Sequence, residues 1–377
     1  MHQYVLRRLL LTIPVLVGVT LLTAGLIRLV PGDAVLVKLE ESGHVADLEA
    51  ARQALGLDRS FPEQYVSWLW GVLRGDFGTS FITDQPVLPQ LLRALPVTVE
   101  LAVLSLVVAF CIGVPVGAIS AVRADAWPDY VGRLLSIAGL SMPSFWIGTL
   151  VLLYFAIWFR WIPPISYVPF LEDPWRNLQQ FIVPAVALGA HFSAVAMRMT
   201  RSALLEVVRQ DYIRTAYAKG LRERSVLLRH ALKNAMVPVV TILGVQFGYL
   251  LGGTVLIETI FSMPGLGRLT LDAITQRDYP QLQADVLVVA VMVVAVTLVV
   301  DLSYGWLDPR IRHAEADVEV AARASARRAF HRAHRRPRRA CAARAGTDTV
   351  RPARTGRVGA SEVAERRPPA RHRLSRP

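Results

Sequence analysis

The sequence predicts an all-α integral membrane protein with six transmembrane helices and a disordered basic C-terminal tail. Three observations carry this. The 377 residues are 53% hydrophobic with a mean hydropathy of +0.39, unusual for a soluble domain of this size. The apolar residues are gathered into blocks of about 20, the length that crosses a hydrocarbon core of about 30 Å as a helix. The net charge of +13 is not spread over the chain: residues 310–377 hold 19 Arg and 6 acidic residues, and residues 1–309 are neutral.

The blocks run Leu9–Val30, Thr98–Val122, Leu134–Phe159, Phe181–Met199, Val237–Phe261 and Ala284–Leu307. Backbone groups in lipid must be bonded within the segment, so each block is expected as a helix, and the alternation of a membrane barrel is missing. The first follows Arg7 and Arg8 and reads as a retained signal anchor. Pro115 and Pro143 are expected to kink the second and third. The fourth is the weakest, because His191 and Ser193 interrupt it. The sixth, with DVLVVAVMVVAVTLVV, is the clearest.

Loop charges give an orientation, since cytoplasmic loops are enriched in Lys and Arg. Segment 33–95 has 5 basic and 9 acidic residues and belongs outside; segment 198–233 has 9 basic and 3 acidic residues and belongs inside. Both termini are then cytoplasmic. Segment 33–95 reads as short helices and turns, with Trp68 and Trp70 suited to an interface. Asp301 and Tyr304 share a face near the end of the sixth block, where Arg310 or Arg312 can neutralise the carboxylate. The tail has no apolar period to build a core and reads as a disordered extension or a read-through. Cys111 and Cys341 are placed too far apart for a disulfide, and no metal site or cofactor is expected.

One loop has more order than topology requires. In DYIRTAYAKGLRERSVLLRHALKNAMVP, Asp211 is a plausible N-cap for a helix starting at Tyr212. Ile213, Tyr217 and Leu221 follow at i, i+4 and i+8. Arg214, Lys219 and Arg222 rim that stripe, and Gly220 can stop the helix in the left-handed region. Ser225 can cap the next helix. A short helix with apolar anchors and charged edges suits a groove on a partner.

This loop resembles the cytoplasmic "EAA" loop of bacterial ABC importer permeases, in the dipeptide/oligopeptide/nickel branch. Thr215, Ala216 and Tyr217 stand where Glu-Ala-Ala would, with Gly220 in place. RLVPGD, ALGLDRSFPEQY, RGDFGTSF, LSMPSFWIG, GGTVLIETIFSMPGLGRL and DLSYGWLDPRIR agree, so the resemblance spans about residues 1–312. It implies the type I permease architecture. Residues 1–96 would be the first helix with an extracytoplasmic segment, 97–312 the permease domain with its loop at about 198–235, and 313–377 the tail. It implies a homologous second permease, two cytoplasmic ATPase subunits and an extracytoplasmic solute-binding protein, all at a bacterial inner membrane. Residues 211–222 would be the ATPase contact. Selectivity among dipeptides, oligopeptides, nickel chelates and sugars would lie largely in the binding protein.

The chain carries no ATPase site of its own. A phosphate loop ends Gly-Lys-Ser/Thr, and none of Lys38, Lys219 and Lys233 follows a glycine. Path candidates are Gln246, Gly252, Gly253 and Glu258, with close packing as the alternative for the glycines and a structural hydrogen-bonding role favoured for Glu258. His191 and Ser193 are two apart on a helix and diverge, so an intramembrane hydrolase is disfavoured. An ion-coupled secondary transporter is the rival transport reading, but no repeat and few central charges support it. The tail attracts phosphate in principle, yet lacks aromatic interleaving and a fold, so no nucleic-acid partner is expected.

Overall fold

A computed structural model describes residues 2–29, 59–160, 162, 164 and 167–307 of the chain. The basic tail, residues 30–58, and the side chains of Asp301 and Tyr304 lie outside the described residues. Within them the elements are α1 (His2–Leu29), α2 (Phe61–Leu73), α3 (Val87–Val122), α4 (Trp127–Ser141), α5 (Ser144–Trp158), α6 (Pro174–Val208), α7 (Asp211–Ala218), α8 (Glu223–Gly253), α9 (Val255–Ile260), α10 (Leu266–Thr275) and α11 (Tyr279–Leu307). The extended pairing among the described residues is a single bridge between Thr79 and Pro86.

Five helices, α1, α3, α6, α8 and α11, are long and apolar enough to cross a bilayer. The third expected span is not one helix. Its two halves, α4 and α5, meet at 100°. The break lies at Pro143, the N-cap of α5, whose ring and missing N–H prevent α4 from continuing. Pro115, by contrast, stays inside the unbroken 36-residue α3, which begins eleven residues before the apolar block. The fifth block is also divided. α8 ends at Gly253 and α9 starts at Val255, and Val226–Leu232 near the start of α8 is wound as a π-helix.

α6 is the hub. It is the least hydropathic span, yet 67% of its apolar window is buried, against 11% for α1 and α11. It packs along α3, and small residues set the distance. A Cβ at Gly113 would lie 2.6 Å from Ala196 Cβ and from the Ser193 carbonyl oxygen; one at Gly117 would lie 2.5 Å from the Met197 carbonyl. Such spacing of small residues is what lets helices associate in lipid, where no hydrophobic force distinguishes neighbour from solvent. Phe181, Leu188 and Ala196 of α6 meet Val97, Leu101 and Ala109 of α3 and Val239, Leu243 and Ile257 of α8 and α9 in the main core.

Two smaller cores close the ends of the bundle. At one, Ala121, Ala203, Leu204, Ile213, Ala216, Val226 and Ala231 bring α3, α6, α7 and α8 together. At the other, Val87, Leu91 and Ala94 of α3 meet Leu266 of α10 and Ala284 of α11. α2 lies on α1 through Tyr65, whose hydroxyl is 2.8 Å from Thr20 Oγ1. Trp70 is exposed with the Arg74 guanidinium 4.7 Å from its ring centre, and Trp68 is half-buried.

Candidate functional site

The helix expected at the basic loop is α7, two turns long. It starts one residue earlier than expected. Gln210, not Asp211, is the N-cap, and its backbone carbonyl takes the Ile213 and Arg214 N–H groups at 3.1 and 3.4 Å. Asp211 lies in the first turn, where a carboxylate favours the helix N-terminus, with its Oδ1 3.5 Å from Arg214. Gly220 stops the helix as expected. At φ +73° it lets the Gly220 N–H reach the Tyr217 carbonyl at 2.9 Å and the Leu221 N–H reach Ala216 at 3.4 Å, the paired closure of a helix C-terminus. Ser225 does not cap α8; it sits in the first turn behind Arg222, which holds that position.

The predicted stripe is split. Ile213 is 1% exposed and packs with Ala216 against Ala121 of α3 and Ala203 and Leu204 of α6. It therefore fastens α7 to its own bundle and is not a partner-facing anchor. Tyr217 and Leu221 are each 41% exposed. Leu221 lies beyond the Gly220 turn, so the i, i+4, i+8 rule, which needs a continuous helix, does not align it with Ile213. Arg214, Lys219 and Arg222 are exposed around the same surface, and Tyr212 Oη accepts a 2.9 Å hydrogen bond from Asn234 of α8. α7 and the turn after it thus have a buried base, Ile213 and Ala216, and an exposed face that includes Tyr217, Leu221, Arg214, Lys219 and Arg222.

The path candidates do not form one group. Gly252 and Gly253 are exposed, and among the described residues a Cβ on either would meet nothing within 4 Å, so they make no close packing there. Gln246 is half-buried. Glu258 is fully buried on α9. It accepts the Thr98 hydroxyl at 2.7 Å and the Arg268 N–H at 3.0 Å, while Thr98 Oγ1 accepts the Leu266 N–H at 2.8 Å. A carboxylate and a hydroxyl satisfy the free N–H groups that open α10. Gly265 must be glycine here, since a Cβ would overlap the Glu258 carboxylate. Within this chain Glu258 has no exposed surface and makes the structural hydrogen bonds favoured for it.

His191 and Ser193 are spent on backbone contacts. His191 Nδ1 is 3.2 Å from the Gly139 carbonyl of α4, and the Ser193 hydroxyl donates to Ala190 at 2.7 Å. Neither is placed as a base–nucleophile pair.

Residues 113–313 match the family described as "Binding-protein-dependent transport system inner membrane component", and residues 1–102 match that family's N-terminal domain. The chain belongs to this family. It is 42% identical over 337 residues to the dipeptide transport system permease protein DppB of Escherichia coli K12, covering 83% of this chain and 99% of that one. It is 40% identical over 314 residues to the glutathione transport system permease protein GsiC of Pectobacterium atrosepticum, covering 83% of this chain and all of the relative. The DppB protein of Alkalihalophilus pseudofirmus is 40% identical with the same coverage. The chain is a multi-pass membrane component of a bacterial ABC importer and not its ATPase. The ion-coupled alternative finds no support among these relatives.

Three polar clusters of this permease escaped the sequence reading. Asp129 of α4, wholly buried, takes a bidentate ion pair from Arg201 of α6 at 2.7 and 2.8 Å. Asp278 accepts from the Ser80 hydroxyl and, at 3.0 Å, from the Phe81 N–H, pinning the segment before α3 to the start of α11. Glu100 of α3, half-buried, meets Tyr167 at 3.5 Å beside the buried Asn177 and Gln180 of α6. Charge inside an apolar block signals Glu100; Asp129 and Asp278 sit in loop-like sequence with nothing local to mark their partners.

Proposed function

We propose that this permease forms half of a translocation path for di- or oligopeptides, or a related solute such as a nickel chelate. A homologous second permease supplies the other half, two ATP-binding subunits lie beneath, and a solute-binding protein delivers from outside. Both termini and α7 face the cytoplasm, as the loop charges require. The observation that carries this is α7 itself. Its base is locked by Ile213 and Ala216, and its outer face offers Tyr217 and Leu221 within a ring of Arg214, Lys219 and Arg222. A rigid, half-anchored helix suits a groove on a moving partner, because apolar anchors supply affinity and rim charges supply orientation. Closure of the ATPases around ATP pulls on α7, and the core beneath it passes that pull to α3, α6 and α8. The substrate class rests on the relatives named for dipeptide and glutathione transport.

Gly220→Pro and Tyr217→Asp test the docking. Proline cannot adopt a positive φ, and a carboxylate would sit among the apolar anchors. Both variants are expected to insert normally, to lose co-purification with the ATPase subunits, and to lose uptake at least tenfold. Unchanged uptake in both removes the role of α7. Uptake of a labelled dipeptide, competed by unlabelled peptide but not by a nickel chelate, settles the substrate class.

A further inference from the structure

The end of the bundle under α7 holds a second device. α4 begins just after α3 and runs back beside α6, and its packing surface is made of small residues: a Cβ at Gly132 would lie 2.7 Å from Met197 Cε, and one at Gly139 3.3 Å from Ala194 Cβ. Across this close contact one polar group ties the helices. Asp129, in the first turn of α4, has a side chain with no exposed surface. Its two oxygens take Arg201 Nε and Nη2 of α6, the Ser120 hydroxyl of α3, and the Asp125 N–H at 3.0 Å; Arg133 Nη2 lies 3.1 Å away. Three helices are tied by one carboxylate.

Position makes the tie mechanical. Ser120 directly precedes Ala121, and Arg201 lies within one turn of Ala203 and Leu204. Ala121, Ala203 and Leu204 are the floor on which Ile213 of α7 rests. Beyond Asp129, α4 turns 100° into α5, and Gly148 of α5 sits against Ile257 and Phe261 of α9 and its end. A displacement of α7 therefore reaches α3 and α6 through the core on which Ile213 rests. Residues 123–126 join α4 to α3, and the Asp129–Arg201 pair joins it to α6.

We infer that the Asp129–Arg201 pair is the positioning joint through which movement of α7 drags the broken span α4–α5 with α3 and α6. This rests on α7 being the ATPase contact. A bidentate guanidinium–carboxylate pair resists rotation as well as separation, which a lysine–carboxylate pair does not. Arg133 lies on α4 itself, four residues after Asp129, so its 3.1 Å contact joins no second helix and bears no load between helices.

The test uses the complete importer, with both permeases, both ATPases and the binding protein, in proteoliposomes. Asp129→Asn keeps the size and removes the charge; Arg201→Lys keeps the charge and removes the fork. Solute taken up per ATP hydrolysed is measured together with ATPase co-purification. Both variants are expected to retain the ATPases and to hydrolyse ATP, with solute per ATP falling at least fivefold. Arg133→Gln is expected to leave that ratio within twofold. A purely structural role would lower uptake and hydrolysis in proportion, so an unchanged ratio in Arg201→Lys overturns the inference even if Asp129→Asn fails to assemble. Loss of co-purification in Tyr217→Asp bears on α7 docking alone, so the two failures are distinguishable.

Discussion

The two ends of the bundle use charge in opposite ways. At the Glu258–Asp278 end, carboxylates are buried and turned inward. Glu258 opens α10 by accepting the Thr98 hydroxyl and the Arg268 N–H, and Asp278 holds Ser80 and Phe81. At the α7 end, one carboxylate, Asp129, is buried, while Arg214, Lys219 and Arg222 stand in solvent on and just after a helix seated by Ile213 and Ala216. The first end is a knot of charge-assisted hydrogen bonds, which are costly to leave half-made. The second has its charges exposed to another molecule. A transport subunit needs both: a closed end that holds its shape and an open end that takes up force.

The strongest challenge to this contrast is Glu258→Ala. It leaves the Thr98 hydroxyl and the Arg268 N–H buried without an acceptor, at about 1–3 kcal/mol each. A marked fall in thermal midpoint in detergent is expected, with ATPase binding per folded molecule unchanged. A variant that kept its midpoint would show that the closed end is not held by this carboxylate. Ile213→Ala comes next. Removing a buried aliphatic side chain costs about 2–5 kcal/mol in a core, and toward the lower part of that range at a small satellite core such as this. Its effect should be local: faster tryptic cleavage at Lys219 and weaker ATPase docking, with little change in the melting of the bundle. The smallest effect is expected for Arg214→Gln. Its 77%-exposed side chain pairs with an exposed Asp211, so stability should not change measurably. Docking to the ATPase should weaken a few-fold and lose part of its salt dependence. A stability loss there would blur the distinction between the two ends.

Much of α7 was legible beforehand. A short helix between two apolar blocks, ended by a glycine in the left-handed region, follows from local chemistry, and Gly220 has that conformation. The direction of Ile213 was not legible. An apolar residue on an amphipathic helix has the same signature whether it meets its own bundle or a partner. Glu258 shows the converse. Its sequence setting, between an apolar run and Pro-Gly, is equally compatible with a path or a cap. The Thr98 and Arg268 groups that decide it are 160 and 10 residues away. The broken third span was half legible: Pro143 marks the place, but a kink and a 100° turn are the same proline in sequence.

The sequence by itself determined which stretches are apolar and long enough to enter lipid, that a short helix ends at Gly220, and that no phosphate loop is present. Those properties depend on residues close together in the chain. Only the tertiary structure decided which helix is the hub and which carboxylates are tied down. In a membrane, lipid and protein are both apolar neighbours, so hydropathy does not separate them: α11, at a window hydropathy of 2.5, is 11% buried, whereas α6, at 1.5, is 67% buried. Burial there is set by small residues and polar partners on other helices, and that pairing exists only once the chain has folded.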